Sequence, residues 1–208
     1  MKIALLDYGA GNVASVERAL ARLAAPSVRT SSARDLAAAD AIILPGVGHF
    51  SALIRALDQC QLRQPLLDAI SRGVPFLGIC LGLQALCSAS DEAPDLRGLA
   101  LFDARVELLP ASAKLPHMGW NQVAACKPSR LLCSLPENSF FYFAHSYALT
   151  AAHQAVVATA AHAAPFAAVL EHKNIFAVQF HPEKSASAGS CVLQNFLAIA
   201  STSSSTPS

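Results

Sequence analysis

Strongly apolar segments separated by stretches with helical spacing constrain the fold of this chain more than any other feature. The apolar segments lie at residues 2–8, 40–45 and 74–79, with a weaker one at 27–32. A strand that is apolar throughout must be buried on both faces, which is typical of a parallel sheet covered by helices. Helical spacing between the segments, as in residues 13–23, supplies those helices. The front half therefore predicts an α/β fold.

The back half of the chain has a different order of elements. Five strand-like segments follow one another, at residues 99–110, 140–149, 155–162, 166–172 and 175–180, and a closing helix follows near 190–200. Strands without intervening helices pair in antiparallel fashion. We predict a single domain over residues 1–200, with a mixed, mostly parallel central sheet flanked by helices and antiparallel later strands. The Ser-rich tail, 201–208, is expected to be disordered.

Composition narrows the classes of function. The chain is 53% hydrophobic and 14% charged, so it must bury a large core, a partner interface or both. A net charge of +1 without a basic cluster argues against nucleic acid and anionic membranes as partners. The N-terminal segment is too short for a secretory signal, and no apolar run reaches membrane-spanning length. Six cysteines without framework spacing indicate reduced thiols of a cytoplasmic protein.

The segment "GICLG", residues 78–82, has the form of a nucleophile elbow. Glycines on both sides of Cys80 permit a sharp strand-to-helix turn, and a helix beginning at the cysteine favours the reactive thiolate form. The alternative is a buried structural cysteine, which the segment alone does not exclude. Cys87, expected in the same helix without a glycine frame, illustrates that alternative.

A candidate base lies at the end of the last predicted strand, in "QFHPEKS". Pro182 favours an extended backbone at His181, so that His181 and Glu183 project to the same side. A carboxylate beside an imidazole fixes its tautomer and stabilises its charge. With Cys80 these two residues form a candidate Cys-His-Glu triad, since the carboxyl ends of the strands meet at one sheet edge.

The segment "LPGVGHF", residues 44–50, follows another apolar strand. It lacks the spacing of a phosphate-binding loop. Its glycines leave backbone N–H groups free to point into a cavity, as an oxyanion hole requires. Taken alone, the segment is equally consistent with an ordinary strand-to-helix turn.

These segments together resemble the class I glutamine amidotransferases. The resemblance rests on "PGVG", "GICLGLQ" and "HPE", and it narrows to the glutaminase subunits of imidazole glycerol phosphate synthase through "LLDYGAGNVASV", "PHMGWN", "FYFAHSY" and "QFHPEKS". It extends over residues 3–199. It implies hydrolysis of L-glutamine to glutamate and ammonia, without a cofactor or metal. The ammonia would pass to a cyclase subunit, the partner in a heterodimer of histidine biosynthesis.

The resemblance also implies roles for the residues of the reaction centre. Cys80 would be the nucleophile, His181 the general base and acid, and Glu183 its orienting partner. The oxyanion would be held chiefly by the Val47 amide and by the amide of Leu81. Gly46 and Gly48, the glycines on either side of Val47, would belong to the same oxyanion-binding segment.

Further positions are implied to bind the substrate and the partner. Gln84 and Glu92 would hold glutamine, Glu92 through the α-amino group, and the backbone of Ser146 and Tyr147 would hold the α-carboxylate. The side facing the synthase would include Met118, Trp120, Asn121 and Lys184. Ala163 departs from the family pattern, in which glycine is common, and it lies in an alanine-rich stretch that leaves the strand boundaries there open.

Three other functions remain as alternatives. "GAGNVA", residues 9–14, fits a short dinucleotide fingerprint, with Arg29 placed where a 2′-phosphate would be bound. No acidic residue stands at the expected distance, and this hypothesis leaves the triad unexplained. A γ-glutamyl hydrolase or cysteine peptidase could use the same elbow and base but has no use for "PHMGWN". A non-catalytic interaction subunit would not need an intact triad.

Overall fold

The computed structural model describes residues 1–9, 12–112 and 114–203. Strands and helices alternate in its front half, as predicted. In chain order they are β1 (Ile3–Leu6), α1 (Val13–Arg22), β2 (Ser27–Thr30), α2 (Ala33–Ala37), β3 (Ala41–Gly46), α3 (Phe50–Gln59), α4 (Arg63–Ser71), β4 (Phe76–Cys80) and α5 (Leu81–Gln84). The short helix α2 was not predicted, since five residues carry little periodicity.

Strands predominate in the back half. They are β5 (Cys87–Ser90), β6 (Phe102–Leu108), β7 (His117–Gln122), β8 (Ala124–Ala125), β9 (Phe140–His145), β10 (Tyr147–Leu149), β11 (Val156–His162), β12 (Ala164–His172) and β13 (Ile175–Val178). A 3₁₀ turn (Pro182–Lys184) and helix α6 (Ala186–Ser203) complete the chain as described. None of the described helices is long and apolar enough to cross a membrane.

The central sheet has eight strands in the order β2-β1-β3-β4-β13-β12-β11-β8. The first five run parallel, and β12, β11 and β8 are antiparallel to their neighbours. The predicted fold class is confirmed. Strand β13 returns beside β4, so that the carboxyl ends of β3, β4 and β13 lie side by side. Gly46 is opposite Cys80, and Val178 is opposite Ile79.

Both faces of this sheet are buried, which explains the continuous apolar strands. In β1, Ile3 and Leu5 pack into one cluster of side chains, whereas Ala4 and Leu6 pack into another on the opposite face. All four residues of β1 are at most 1% exposed. Two further small sheets, β10-β6-β5 and β7-β9, lie outside the central one.

Two predicted elements were wrong in their extent. The helix after the elbow was expected to reach Cys87, but α5 has only four residues and Cys87 begins β5. Pairing of β5 with β6 and full burial of Cys87 outweigh local helical propensity there. The strand predicted at 140–149 is divided at Ser146, because β9 pairs with β7 whereas β10 pairs with β6.

The last helix holds the 3₁₀ turn in place. A Cβ added at Gly189 would lie 2.0 Å from the Pro182 carbonyl oxygen, so the helix and the turn are in direct backbone contact. Ser185 Oγ donates to the His181 carbonyl at 2.6 Å and accepts from the Tyr142 amide at 3.0 Å. Helix α6 extends to Ser203, three residues into the tail predicted to be disordered, and 204–208 lie outside the described residues.

Ala163 lies at the tight turn between β11 and β12, in the left-handed region with a φ of 63°. An L-residue with a Cβ is disfavoured there by roughly 1–2 kcal/mol, and glycine is not. This turn explains why glycine suits the position.

We expect Ala163→Gly to stabilise the fold by up to about 1 kcal/mol, because relief of the strained φ exceeds the added freedom of the unfolded chain. Urea unfolding measures the change. Ala161→Gly, at an exposed position of neighbouring β11, is the matched control and should destabilise by about 0.5–1 kcal/mol. A destabilised Ala163→Gly variant would contradict this account of the turn.

Candidate active site

Cys80 lies at the corner between β4 and α5 with φ 53° and ψ −106°. This region is unfavourable for a residue with a side chain, so the corner is strained. The two flanking glycines are required by close packing. A Cβ at Gly78 would lie 2.6 Å from the Gly82 carbonyl oxygen, and a Cβ at Gly82 would lie 2.0 Å from the Leu44 carbonyl oxygen. The elbow predicted from "GICLG" is therefore present.

The surroundings of Cys80 differ from the expectation in one respect. Helix α5 is a single turn, so its dipole contributes less than the longer helix predicted from the sequence. Polar groups of other elements surround the sulfur instead. Gln179 Nε2 lies 3.6 Å from Cys80 Sγ, and the Ala144 carbonyl oxygen lies 4.0 Å from it. Gln179, which is fully buried, was missed although it begins the quoted segment "QFHPEKS".

His181 and Glu183 are joined as predicted. His181 Nδ1 lies 2.8 Å from Glu183 Oε1, and the two side chains are 2% and 1% exposed. The His181 backbone is extended, with φ −101° and ψ 96°, as the following Pro182 favours. Since Nδ1 faces the carboxylate, Nε2 is left to face Cys80.

The protonated form of His181 is stabilised by its two partners. Burial by itself would lower the pKa of His181, but hydrogen bonds to Cys80 and Glu183 and the charges of those groups outweigh it and raise the pKa to about 10. The ring is therefore an imidazolium at neutral pH. A protonated ring beside a cysteine sulfur favours the thiolate, the form that reacts as a nucleophile.

Asn12 is a further member of this group that the sequence did not reveal. Its Nδ2 donates to Glu183 Oε1 at 2.8 Å, the same oxygen that His181 contacts. Glu183 Oε2 is buried without a hydrogen-bond partner among the described residues. Asn12 belongs to the segment considered as a dinucleotide fingerprint, of which Ala10 and Gly11 lie outside the described residues.

Arg29 does not support the dinucleotide hypothesis. Its Nε pairs with Asp7 Oδ2 at 2.5 Å, so the guanidinium already has a carboxylate partner. Asn12, from the same fingerprint, points to the triad. Arg29 and Asn12 are therefore both engaged within the protein.

A cavity of about 160 Å³ opens beside Cys80 and His181. It brings together most of the residues that the resemblance singled out. Its walls are formed by Val47, Gly48, Cys80, Leu81, Gln84, Glu92, Ala144, His145, Ser146, Tyr147, His181 and Lys184. Within the described ranges, no group of three His, Cys, Asp or Glu side chains could hold a metal ion.

In the segment expected to bind the oxyanion, Gly46 is closely packed against its neighbours, whereas Gly48 has open space around it. A Cβ at Gly46 would lie 2.7 Å from Leu81 Cβ, so Gly46 is packed against the elbow. Gly48 has a φ of 97° and open space around it. Between them, Val47 is 36% exposed at the cavity. Any hinge of this segment therefore lies at Gly48.

Tyr8 adds a buried hydroxyl beneath the same segment. Its Oη is buried and lies near the Val47 backbone and Cys80. Burial raises the pKa of Tyr8, so the phenol stays neutral. Tyr8 could not be found from the sequence, since a tyrosine that ends an apolar strand carries no distinctive signal.

Two of the expected substrate residues already have partners within the protein. Gln84 is 4% exposed, and its Nε2 donates to the Tyr147 carbonyl at 2.8 Å and to Gln179 Oε1 at 3.3 Å. Glu92 Oε2 accepts from the Phe50 amide at 2.6 Å, which fixes this carboxylate at the start of α3.

The four residues expected to face a partner lie in three different environments. Met118 and Trp120, on β7, are 64% and 53% exposed. Lys184 lines the cavity, with its ammonium 5.6 Å from the centre of the Tyr142 ring. Asn121 is tied to the protein itself, since its Nδ2 donates to the Ala161 carbonyl at 2.9 Å.

Comparison with known proteins identifies the family. The family model described as glutamine amidotransferase class-I matches residues 4–200. The chain belongs to the class I glutamine amidotransferases. Among curated relatives of this amidotransferase, imidazole glycerol phosphate synthase subunit HisH of Methanothermobacter thermautotrophicus is 46% identical, over 95% of this chain and 98% of the relative. The HisH subunit of Aquifex aeolicus is 41% identical, over 94% of this chain and 96% of the relative.

Solved structures of similar fold include other amidotransferases. A putative GMP synthase subunit from Thermoplasma acidophilum has a TM-score of 0.74 at 22% identity, over 98% of this chain and 96% of that chain. The glutaminase domain of Trypanosoma brucei CTPS, with acivicin bound, has a TM-score of 0.70 at 18% identity, over 97% of this chain and 94% of that chain. At these identities the likeness establishes the fold.

The raised pKa of His181 gives a testable titration. We expect the ring to remain protonated from pH 6 to 8 and Glu183→Gln to lower its pKa, because the carboxylate stabilises the imidazolium. NMR of the ring nitrogens measures this. Since the folded pKa exceeds the ordinary value of 6.5, the associated stabilisation is present below pH 6.5 and lost as pH rises towards 10.

The matched control for this titration is Glu137→Gln, a change at an exposed loop position. It should leave the His181 titration unaltered. A neutral His181 ring at pH 7 in the unmodified protein would contradict the ion-pair description.

Proposed function

We propose that this chain is the glutaminase subunit of an imidazole glycerol phosphate synthase. It hydrolyses L-glutamine to glutamate and ammonia and delivers the ammonia to a cyclase subunit, which forms imidazole glycerol phosphate and AICAR in L-histidine biosynthesis. The observation that carries the proposal is the strained Cys80 elbow facing a buried His181–Glu183 pair across one cavity. The relatives named as HisH subunits support the choice of synthase.

The chemistry follows from the arrangement of the triad. The proton of Cys80 resides on His181, and the thiolate attacks the carboxamide carbon of glutamine. When the tetrahedral intermediate collapses, the C–N bond breaks and the proton returns from His181 to the leaving ammonia. His181 then takes a proton from water, which attacks the glutamyl thioester and releases glutamate and Cys80. Glu183 keeps Nε2 of His181 directed at these groups throughout.

In the tetrahedral intermediate, the negative charge on the former carboxamide oxygen must be stabilised by hydrogen-bond donors close to Cys80. The Val47 and Leu81 backbone amides are the candidates, since both residues line the cavity next to the sulfur. Close packing of Gly46 against Leu81 keeps the two segments in contact. A single oxyanion donor contributes roughly 3–4 kcal/mol to the barrier.

The remaining walls suit the charged end of a free amino acid. Glu92 supplies a carboxylate for the α-amino group, and the backbone of Ser146 and Tyr147 supplies hydrogen bonds for the α-carboxylate. Gln84 supports that wall through the Tyr147 carbonyl. A cavity of about 160 Å³ favours a single amino acid over the longer substrate of a peptidase.

A partner surface adjoins the cavity. Met118, Trp120 and Phe140 are large apolar side chains that are 52–64% exposed on the paired strands β7 and β9. The Trp120 ring lies 6.3 Å from that of Tyr142, which contacts Lys184 of the cavity wall. We assign this surface to the cyclase subunit. The cytoplasmic location expected from the sequence stays a prediction.

The division of labour is tested with Cys80→Ala. In complex with the cyclase subunit, this variant should lose glutamine-dependent synthesis, because the nucleophile is absent, and should retain synthesis from added ammonia. Product formation under both conditions is the measurement. Cys60→Ala, at an exposed free cysteine, is the matched control and should keep both activities. Loss of the ammonia-dependent reaction in a folded Cys80→Ala complex would mean that Cys80 has another role.

A second test concerns activation by the partner. We expect the isolated chain to hydrolyse glutamine about two to three orders of magnitude more slowly than the complex, because docking selects the conformation in which the Val47 amide binds the oxyanion. Glutamate release by the chain alone, and then by its complex with the ligand-bound synthase partner, measures the difference. Equal turnover in both conditions would refute it.

Gly48→Ala tests whether Gly48 is the hinge. It should reduce the activated turnover, since a side chain is strained at a φ of 97°. Gly73→Ala is a matched control, because Gly73 has a φ of 91° and open space but lies at the turn before β4, away from the cavity. Equal effects of the two changes on turnover would remove the hinge role from Gly48.

A further inference from the structure

Two buried histidines connect the partner-facing strand β7 with the wall of the cavity. His117 on β7 and His145 at the end of β9 are each 5% exposed. His117 Nδ1 lies 3.1 Å from His145 Nε2, and His145 Nδ1 lies 3.0 Å from the Tyr147 carbonyl oxygen. Neither ring belongs to the triad, and the proposed chemistry gives neither a role.

The hydrogen bonds around these rings fix both tautomers. A carbonyl oxygen only accepts, so His145 must carry its proton on Nδ1 and present Nε2 as an acceptor. His117 must then donate from Nδ1, which leaves its Nε2 as an acceptor.

Asn121 supplies the donor that His117 needs. Its Nδ2 lies 3.2 Å from His117 Nε2. The orientation of this amide is fixed, because Nδ2 also donates to the Ala161 carbonyl at 2.9 Å and Oδ1 accepts from the Gln122 amide at 2.8 Å. The hydrogen bonds therefore run in one direction, from Asn121 through His117 and His145 to the Tyr147 carbonyl.

The same carbonyl is linked to the nucleophile. Tyr147 O also accepts from Gln84 Nε2 at 2.8 Å. Gln84 in turn donates to Gln179, whose Nε2 lies 3.6 Å from Cys80 Sγ. The Tyr147 carbonyl is thus contacted by the Gln84 side chain, which follows the elbow, and by the His145 ring.

The surroundings keep both histidine rings neutral, as is required for hydrogen bonds that all run in one direction from Asn121 to the Tyr147 carbonyl. Burial lowers the pKa of His117 to about 4 and that of His145 to about 3, and nearby His162 and His181 oppose any added charge. The other groups against the rings are apolar, with Phe143 stacked on His117 at 5.0 Å and Phe166 edge-on to His145 at 4.9 Å. A proton added to His145 Nε2 would face the N–H of His117.

We propose that His145 and His117 are positioning residues for glutamine binding, which hold the Tyr147 peptide in place through a hydrogen-bond chain that begins at Asn121. Tyr147 is the first residue of β10, in register with Leu108 of β6, one residue after β9 ends. Its carbonyl oxygen accepts from two side chains, through Gln84 Nε2 and His145 Nδ1. The inference rests on the proposed function for its substrate. It adds that β7, the strand proposed to face the synthase, holds in place the part of the cavity wall that binds glutamine.

Two substitutions at His117 separate hydrogen bonding from packing. His117→Asn keeps an N–H near the position of Nδ1 but loses ring volume, whereas His117→Phe keeps the ring and loses the donor. In the complex with the synthase partner, we expect H117F to raise the KM for glutamine roughly tenfold with little change in kcat, and H117N to stay within about threefold of the unmodified KM. A packing role would produce the opposite ranking.

His162→Phe is the matched control, since the His162 ring stacks on His117 at 4.2 Å but lies outside the chain of hydrogen bonds. It should leave the KM unchanged. NMR of the ring nitrogens in the unmodified protein provides an independent measurement, which does not depend on the stability of any variant. Both His117 and His145 should carry their proton on Nδ1 at pH 7.

The outcomes separate this inference from the proposed function. A proton on Nε2 of either ring, or a higher KM for H117N than for H117F, would overturn the positioning role while glutaminase activity remains. Absence of glutamine hydrolysis by the unmodified complex would overturn the proposed function and the positioning role together. The Nδ1 tautomers combined with the expected KM ranking would support both.

Discussion

The contact between the Gly82 backbone and the Leu44 carbonyl is the constraint on which the rest of the site depends. No side chain fits there, since a Cβ at residue 82 would lie 2.0 Å from that oxygen. The elbow is therefore pressed against β3 and cannot relax, which leaves Cys80 at a φ of 53°. The same contact brings the end of β3, with Val47, beside the sulfur. The strain at Cys80 and the proximity of Val47 to its sulfur therefore have one cause.

The buried carboxylate of Glu183 is the second requirement, and it depends on remote parts of the chain. Burying a charge is costly unless partners compensate for it. His181 supplies the opposite charge from two residues away, but Asn12 donates from the start of α1. The proposed triad and Asn12 come together only when α1, the elbow after β4 and the 3₁₀ turn are packed together.

Fold and specificity have different sources in this protein. Structures with only 18–22% identity share the architecture with TM-scores of 0.70–0.74, so the fold is compatible with widely different sequences. We propose that specificity for one partner lies in surface strands such as β7, where Met118 and Trp120 are exposed. The buried histidines of β7 and β9 link that surface to the cavity.

The sequence by itself determined the parallel sheet, the elbow at Cys80 and the pairing of His181 with Glu183, because these depend on local apolar runs, glycine spacing and a proline. Only the tertiary structure decided the end of α5, the division of the strand at Ser146, and the contacts of Asn12 with the triad. These features join residues that lie far apart in the chain. Strand pairing and burial select them over local propensity, and neither is encoded in a short stretch of sequence.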